Sequence, residues 1–129
     1  MSQGERRKHG WLSRLQGESG EPFLPQVGEL YLINTRICFG FDPAADRPAV
    51  VLCVPPDQTS RSPIQLVTRT SQPVRGGVAH PADRALQLDR DGTFSDLVSV
   101  EQQLWRSPNV RLLGLLPEPY LSLVVRRFS

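Results

Sequence analysis

Cysteine, histidine and long apolar runs are all scarce in this chain of 129 residues. Two cysteines, Cys38 and Cys53, and two histidines, His9 and His80, are too few for a disulfide framework or a zinc site. No apolar run approaches the ~18 residues of a membrane-spanning helix, and no apolar stretch of a signal peptide follows the basic N-terminus. The composition predicts a cytoplasmic protein with reduced thiols, no metal and no membrane association.

The glycine-rich loops that bind nucleotide phosphates are also absent. The sequence contains neither G-x-x-x-x-G-K-[ST] nor G-x-G-x-x-G, and it has no G-x-S-x-G turn for a serine nucleophile. We therefore expect no cofactor. Arginine, hydroxyl residues and a few carboxylates near strand ends remain as candidates for chemistry.

The charge of the chain gives no broad basic face. The formal net charge is +2, and the arginines and acidic residues after position 25 nearly balance. Lys8 is the single lysine, so almost every cation is an arginine, which suits bidentate phosphate contacts. A GC-rich genome would give the same bias and is the better explanation of it.

Two regions differ in composition. Residues 1–25 are polar and rich in Gly, Ser, Glu and Arg, which predicts a flexible tail, and residues 26–129 are predicted to form one domain. Trp11, Leu12 and Leu15 have helical spacing, so one docked helical turn within the tail is the alternative.

Short apolar segments separated by turn signals predict a mainly β domain that ends in a helix. A long loop is expected over 34–46, and a tight turn is expected at Asp89–Gly92, with Gly92 at positive φ. The predicted strands are Glu29–Ile33, Ala49–Val54, Ile64–Thr70, Arg84–Leu88, a strand over Thr93–Trp105 that runs into a second after Ser95, and Val110–Leu116, and the helix is Glu118–Phe128. This order indicates a small antiparallel barrel or sandwich with a C-terminal helix.

An Arg-Pro pair stands immediately before the most apolar run. Pro48 cannot donate to a ladder, so it reads as the first residue of a strand, and Arg47 then lies at the end of a loop. A positive charge held at the mouth of a buried strand suits an anion-binding site. The alternative is an ordinary surface arginine.

The third predicted strand ends in hydroxyl residues, Thr70 and Ser71. Threonine is common in strands for its shape alone, so the hydroxyls by themselves do not indicate a site.

Together, Gly28–Tyr31, Arg47–Leu52 and a strand ending in Thr70-Ser71 resemble the MazF/PemK family of toxin endoribonucleases from bacterial toxin–antitoxin pairs. Ser95, Leu113–Leu115 and the terminal helix fit the same order. The resemblance covers roughly residues 26–129.

The resemblance implies a small SH3-like antiparallel barrel with a C-terminal helix, a homodimer, and an antitoxin protein as partner. It implies metal-independent cleavage of single-stranded RNA through the 2′-hydroxyl, leaving a cyclic phosphate. Arg47 and Thr70 map to the catalytic positions. The alternative is a catalytically silent SH3-like module that binds protein or nucleic acid.

The remaining candidates are less defined. Asp46 or Asp42, in the predicted loop before Arg47, could act as the general base or be a turn residue. Phe41, Arg69 and Ser71 are candidates for RNA contact, and Arg69, which stands where the family has an apolar residue, otherwise faces solvent. His80 is expected to be an ordinary surface histidine.

Overall fold

The structure is a computed structural model that describes residues 20–41 and 46–129. Its elements in chain order are β1 (Glu29–Asn34), α1 (Thr35–Phe39), β2 (Asp46–Cys53), β3 (Ile64–Thr70), β4 (Val78–His80), a 3₁₀ helix (Arg84–Leu86), β5 (Gly92–Val100), a second 3₁₀ helix (Gln102–Leu104), β6 (Val110–Leu115) and α2 (Tyr120–Phe128).

The strands form one antiparallel sheet in the order β4-β5-β3-β2-β1-β6. The mainly β fold with a C-terminal helix is confirmed, but the sheet is not closed, because β4 and β6 are both edges. The segment after β4 brings these edges together. Leu86 packs against Gly114 of β6 so closely that a Cβ there would lie 2.7 Å from its Cδ2. Arg111 of β6 also donates to Gln87 Oε1 at 3.1 Å. Side-chain packing rather than a strand ladder thus gives the sheet its barrel-like form.

Strand alternation builds one apolar cluster on each face of the sheet. The cluster on the face covered by α1, which we call the α1 face, contains buried Tyr31, Ile33, Ala49, Val51, Leu66 and Trp105, with Cys38 from the helix. The cluster on the opposite face, the α2 face, contains Leu30, Val50, Val67 and Phe94, with Val124 from α2. The face of any strand residue in β1 to β3 therefore follows from its odd or even position.

The predicted loop over 34–46 contains the short helix α1. The Asn34 side chain caps it by accepting from Ile37 N at 3.0 Å. Gly40 ends it in the left-handed region, with φ 71°, and its N–H bonds to carbonyls of the preceding turn. Five residues are too few for a helical period to show in the sequence, so the loop prediction was wrong here.

The predicted strand Arg84–Leu88 is also wrong. Asp83 accepts from Ala85 N at 3.0 Å and starts a 3₁₀ turn, and only Asp83 and Leu88 pair, in an isolated bridge. The outer strand is instead β4. The positive φ in this region belongs to Gln87, while Gly92 is the first residue of β5 and does not have one.

The predicted pair of strands over Thr93–Trp105 is a single strand followed by a 3₁₀ helix. The register shifts at Ser95, since Thr68 pairs with Asp96 and Arg69 pairs with Phe94. Ser95 is therefore the extra residue of a β-bulge within one strand, and the predicted strand break after Ser95 was wrong.

The other predicted elements agree closely. β1, β3, β6 and α2 occur where expected, and Arg126 and Arg127 lie in the last turn of α2. Val124 is the fully buried residue of α2, whereas Val125 is 36% exposed.

Core packing begins upstream of residue 26. Phe23 is buried against Tyr31 and Trp105, with ring centroids 6.2 and 6.3 Å apart, and its N–H donates to Trp105 O. The predicted turn at Trp11–Leu15 lies outside the described residues, so the division into tail and domain stays a prediction. Within the described residues no helix is long and apolar enough to cross a membrane.

Candidate functional site

Arg47 lies in β2 rather than in a loop before it. β2 begins at Asp46, and Arg47 pairs with Ile33 of β1. Pairing with β3 begins two residues later, at Ala49 and Thr68. Pro48 thus stands in the strand where the β3 side is unpaired, which accommodates its missing N–H. The arginine is exposed, but its backbone is held by the ladder to β1.

Arg47 and Thr70 each lie two residues beyond Ala49–Thr68, the last pair of the β2–β3 ladder. Arg47 shares the face of Ala49, and Thr70 shares that of Thr68, so both side chains belong to the α1 face. Within the described part of the chain, Arg47 makes no side-chain hydrogen bond or ion pair, so its guanidinium can take a ligand.

The Thr70 hydroxyl is oriented by the turn that follows β3. Its Oγ1 accepts from Gln72 N at 3.1 Å. That bond uses an acceptor lone pair and leaves the O–H proton free to donate. A fork of guanidinium donors and one hydroxyl donor therefore occupy the same end of the sheet. Ser71 follows directly and is exposed.

The carboxylate on the same face as Arg47 is Asp96, not the predicted Asp46. Alternation in β2 sends Asp46 to the face opposite Arg47. Asp96, which the sequence reading missed, pairs with Thr68 and shares the α1 face. Ser95 donates to Asp96 Oδ2 at 3.2 Å. A bulge has no local sequence signature, so nothing in the chain pointed to this carboxylate.

Phe41 lies beside a groove on the same face. It is 42% exposed, and its ring centroid lies 5.4 Å from that of Phe39. The groove has a volume of about 410 Å³ and is lined by Cys38, Phe39, Phe41, Val98, Ser99, Glu101 and Leu104. Exposed aromatic faces of this kind can stack unpaired bases.

Arg69 points away from this site, as alternation requires of a neighbour of Thr70, and is only 6% exposed. Its Nε donates to His80 Nδ1 at 3.1 Å, and its Nη2 donates to carbonyls of His80 at 3.1 Å, Pro81 at 3.4 Å and Arg90 at 2.7 Å. The guanidinium is neither solvent-facing nor free for phosphate. Burial lowers the pKa of Arg69, and the nearby charges of Asp91 and Asp89 oppose that shift.

His80 is buried, with 2% exposure, which corrects its prediction as a surface residue. Burial and, second, the charge of Arg69 lower its pKa, while Asp83 acts in the opposite direction. No local pattern indicates this contact, because the two residues are eleven positions apart and lie in different strands.

Thiol or metal chemistry has little support in the described residues. Burial raises the pKa of the Cys38 thiol to about 11, which disfavours the reactive thiolate. Cys53 is exposed and free. The described residues include no group of three histidine, cysteine or acidic side chains that could hold a metal ion.

No protein-family model and no curated protein matches the chain. Among solved structures, it is similar to a chain in the crystal structure of the MazE–MazF complex from Deinococcus radiodurans, with a TM-score of 0.56 and 24% identity over 81% of this chain and 91% of that chain. At this identity the likeness establishes the fold. The open six-stranded sheet with its C-terminal helix is a MazF-like arrangement, as the sequence resemblance implied.

Proposed function

We propose that this chain is a MazF-like toxin that cleaves single-stranded RNA without a metal ion. The observation that carries the proposal is the position of Arg47 and Thr70, each two residues beyond the last β2–β3 pair and on the same face of a MazF-like sheet. A guanidinium that makes no hydrogen bond or ion pair within the described residues, together with a hydroxyl donor on the next strand, suits a phosphate that gains charge during reaction.

In this reaction the 2′-oxygen of a ribose attacks the adjacent phosphorus. A bond from that oxygen to phosphorus forms, the bond to the 5′-oxygen of the next nucleotide breaks, and a cyclic phosphate remains. One proton leaves the 2′-hydroxyl and one joins the departing oxygen. The Arg47 fork neutralises charge on the non-bridging oxygens, and Thr70 donates one further hydrogen bond.

A carboxylate on the same face is needed to accept the 2′-proton. Asp96 meets the face requirement, whereas alternation directs Asp46 away from Arg47. We therefore propose Asp96 as the general base, and substitution of Asp46 serves as the comparison in the test below. Phe41, which lines the groove on that face, and Ser71, which follows Thr70 and is exposed, are proposed to contact the RNA strand. Arg69 is left out of the RNA contacts because its guanidinium is already bonded within the fold.

Association is proposed on the same basis. The similar chain comes from a MazE–MazF complex, which supports an antitoxin protein as partner. β6 is a sheet edge, and Leu115 at its end is 62% exposed. An apolar edge of this kind favours pairing with a second copy. Sedimentation at micromolar concentration is expected to give a dimer of the 14.4 kDa chain. The cytoplasmic location stays a prediction.

Cleavage of a mixed-sequence single-stranded RNA in EDTA tests the activity. Arg47→Ala is expected to slow cleavage roughly a hundredfold or more, the cost of losing a main charge stabiliser. Arg47→Lys should not restore the rate, because an ammonium lacks the bidentate fork. Thr70→Ala should lose less, and Asp96→Asn should lose more than Asp46→Asn.

Arg61→Ala is the matched control, since this exposed arginine lies before the opposite end of β3. It should cleave like the wild type. If the wild type binds RNA or protein but does not cleave, the binding-module alternative replaces the enzyme. Unchanged cleavage by Arg47→Ala would remove the site assignment and leave the fold.

A further inference from the structure

Arg69 crosses a neighbouring strand to reach its partner. In the sheet order β4-β5-β3, β5 lies between Arg69 on β3 and His80 on β4. The guanidinium nevertheless bonds to the side chain and the carbonyl of His80. It also bonds to the Arg90 carbonyl, just before β5 begins. One side chain thus ties together the ends of three strands.

Gly92 makes this crossing possible. It pairs with His80 across the sheet, and a Cβ at this position would lie 2.6 Å from both Cζ and Nη1 of Arg69. Real side chains do not approach so closely, so any other residue would displace the guanidinium. The φ of Gly92 is not in the left-handed region, so the backbone conformation does not require glycine here. The requirement is the space that the Arg69 side chain occupies.

The far end of the contact is held by aromatic packing. The His80 ring lies 5.6 Å from Phe94 and 4.7 Å from Tyr120 of α2, the latter at 82° between planes. His80 Nδ1 accepts from Arg69, so the ring is neutral with its proton on Nε2. Nε2 is buried and has no hydrogen-bond partner among the described residues. The histidine therefore serves as an acceptor fixed in orientation.

We propose that Arg69, His80 and Gly92 form a clamp that positions Thr70 for the reaction. Arg69 makes its hydrogen bonds on the α2 face, and Thr70, the residue after it, has its hydroxyl on the α1 face. Thr70 pairs with Thr93, the residue after Gly92, so the clamp sets the final rung of the ladder that carries the hydroxyl. Arg69 is thus a positioning residue, and its role rests on the proposed function.

The test compares Arg69→Lys and His80→Gln with Arg84→Lys, an exposed arginine outside the clamp. Lysine keeps the charge but cannot span the histidine ring and the carbonyls together. Both clamp variants are expected to lower kcat about 10- to 100-fold, because a displacement on the order of 1 Å costs this much. Affinity for a 2′-deoxy oligonucleotide of the same sequence should stay within about twofold, since the clamp does not touch the nucleic acid.

Amide hydrogen exchange supplies a readout that is independent of activity. Exchange at Thr70, Ser71 and Gln72 should accelerate in both clamp variants, while Val50 in the centre of β2 keeps its wild-type rate. If wild-type protein fails to cleave RNA but this local acceleration occurs, the proposed function falls and the clamp remains.

Three results would overturn the clamp. The first is a kcat for both variants equal to that of Arg84→Lys. The second is a loss of oligonucleotide affinity as large as the loss of kcat, which would mean that Arg69 contacts nucleic acid itself. The third is loss of folding in both variants, which would make these residues part of the core rather than a positioning device.

Discussion

Replacing Gly92 by alanine isolates the steric requirement of the clamp. The added methyl would lie 2.6 Å from two Arg69 atoms and 2.9 Å from the Thr70 carbonyl oxygen. At an ordinary φ, glycine to alanine otherwise stabilises by about 0.4–1 kcal/mol through the unfolded state. Displacing the guanidinium loses hydrogen bonds to a charged group, worth about 1.5–3 kcal/mol each. We expect a net loss of about 2–4 kcal/mol in the free energy of unfolding.

Urea denaturation followed by circular dichroism measures this loss, which corresponds to a midpoint about 1–2 M lower for a typical urea slope. Gly40→Ala is the matched control, because its Cβ would meet no atom of the described residues within 4 Å and its φ of 71° is the source of strain. That variant should lose about 1 kcal/mol.

A double-mutant cycle with Arg69→Ala shows whether the methyl of Gly92→Ala clashes with the Arg69 guanidinium or with the Thr70 carbonyl oxygen. Without the guanidinium, Gly92→Ala should cost far less than it does in the wild type. An equal cost in both backgrounds would assign the clash to the Thr70 carbonyl and refute the argument that Gly92 exists to admit Arg69.

Three further predictions concern acid stability, the helix and the thiols. Because the pKa of His80 is lowered in the folded state, the neutral ring contributes its full stabilisation above the ordinary pKa of 6.5, and this stabilisation is lost as the pH falls through the lowered folded-state pKa. The urea midpoint of His80→Gln should therefore change less between pH 7 and pH 5 than that of the wild type, and equal changes in the two proteins would contradict this. Val124→Ala should lower the free energy of unfolding by about 2 kcal/mol, because this side chain is fully buried. Val125→Ala, at the exposed neighbouring position, should lower it by less than about 0.5 kcal/mol. Equal losses would mean that α2 packs on the sheet through another face. A disulfide reagent should label Cys53 in the native protein and Cys38 only after denaturation; two rapidly labelled thiols in folded protein would show that α1 opens.

The elements found from the sequence are those with strong local signals. β3 has alternating residues and ends at a break after Thr70, so its bounds agree with the structure. The helix α2 has apolar residues at helical spacing and arginines in its last turn. The 3₁₀ turn at Arg84–Leu86 and the five-residue helix α1 are too short for periodicity, and capping by Asp83 and Asn34 decides them.

The order of motifs in the sequence was sufficient to suggest a MazF-like fold and to select Arg47 and Thr70. Their relative position depends on pairing between β2 and β3, which are adjacent in the chain and so could be anticipated. The face of each side chain required the exact strand bounds. Because β2 begins at Asp46, alternation separates that carboxylate from Arg47, and the bulge at Ser95 brings Asp96 to the proposed site instead.

The sequence by itself determined the mainly β class, most strand positions and the terminal helix, because each depends on residues close together in the chain. Tertiary structure alone decided that the sheet stays open and that Arg69 turns inward. Those outcomes depend on contacts between distant segments, such as the passage of Arg69 over Gly92 to His80. Local propensity carries no information about which distant side chain leaves room for another.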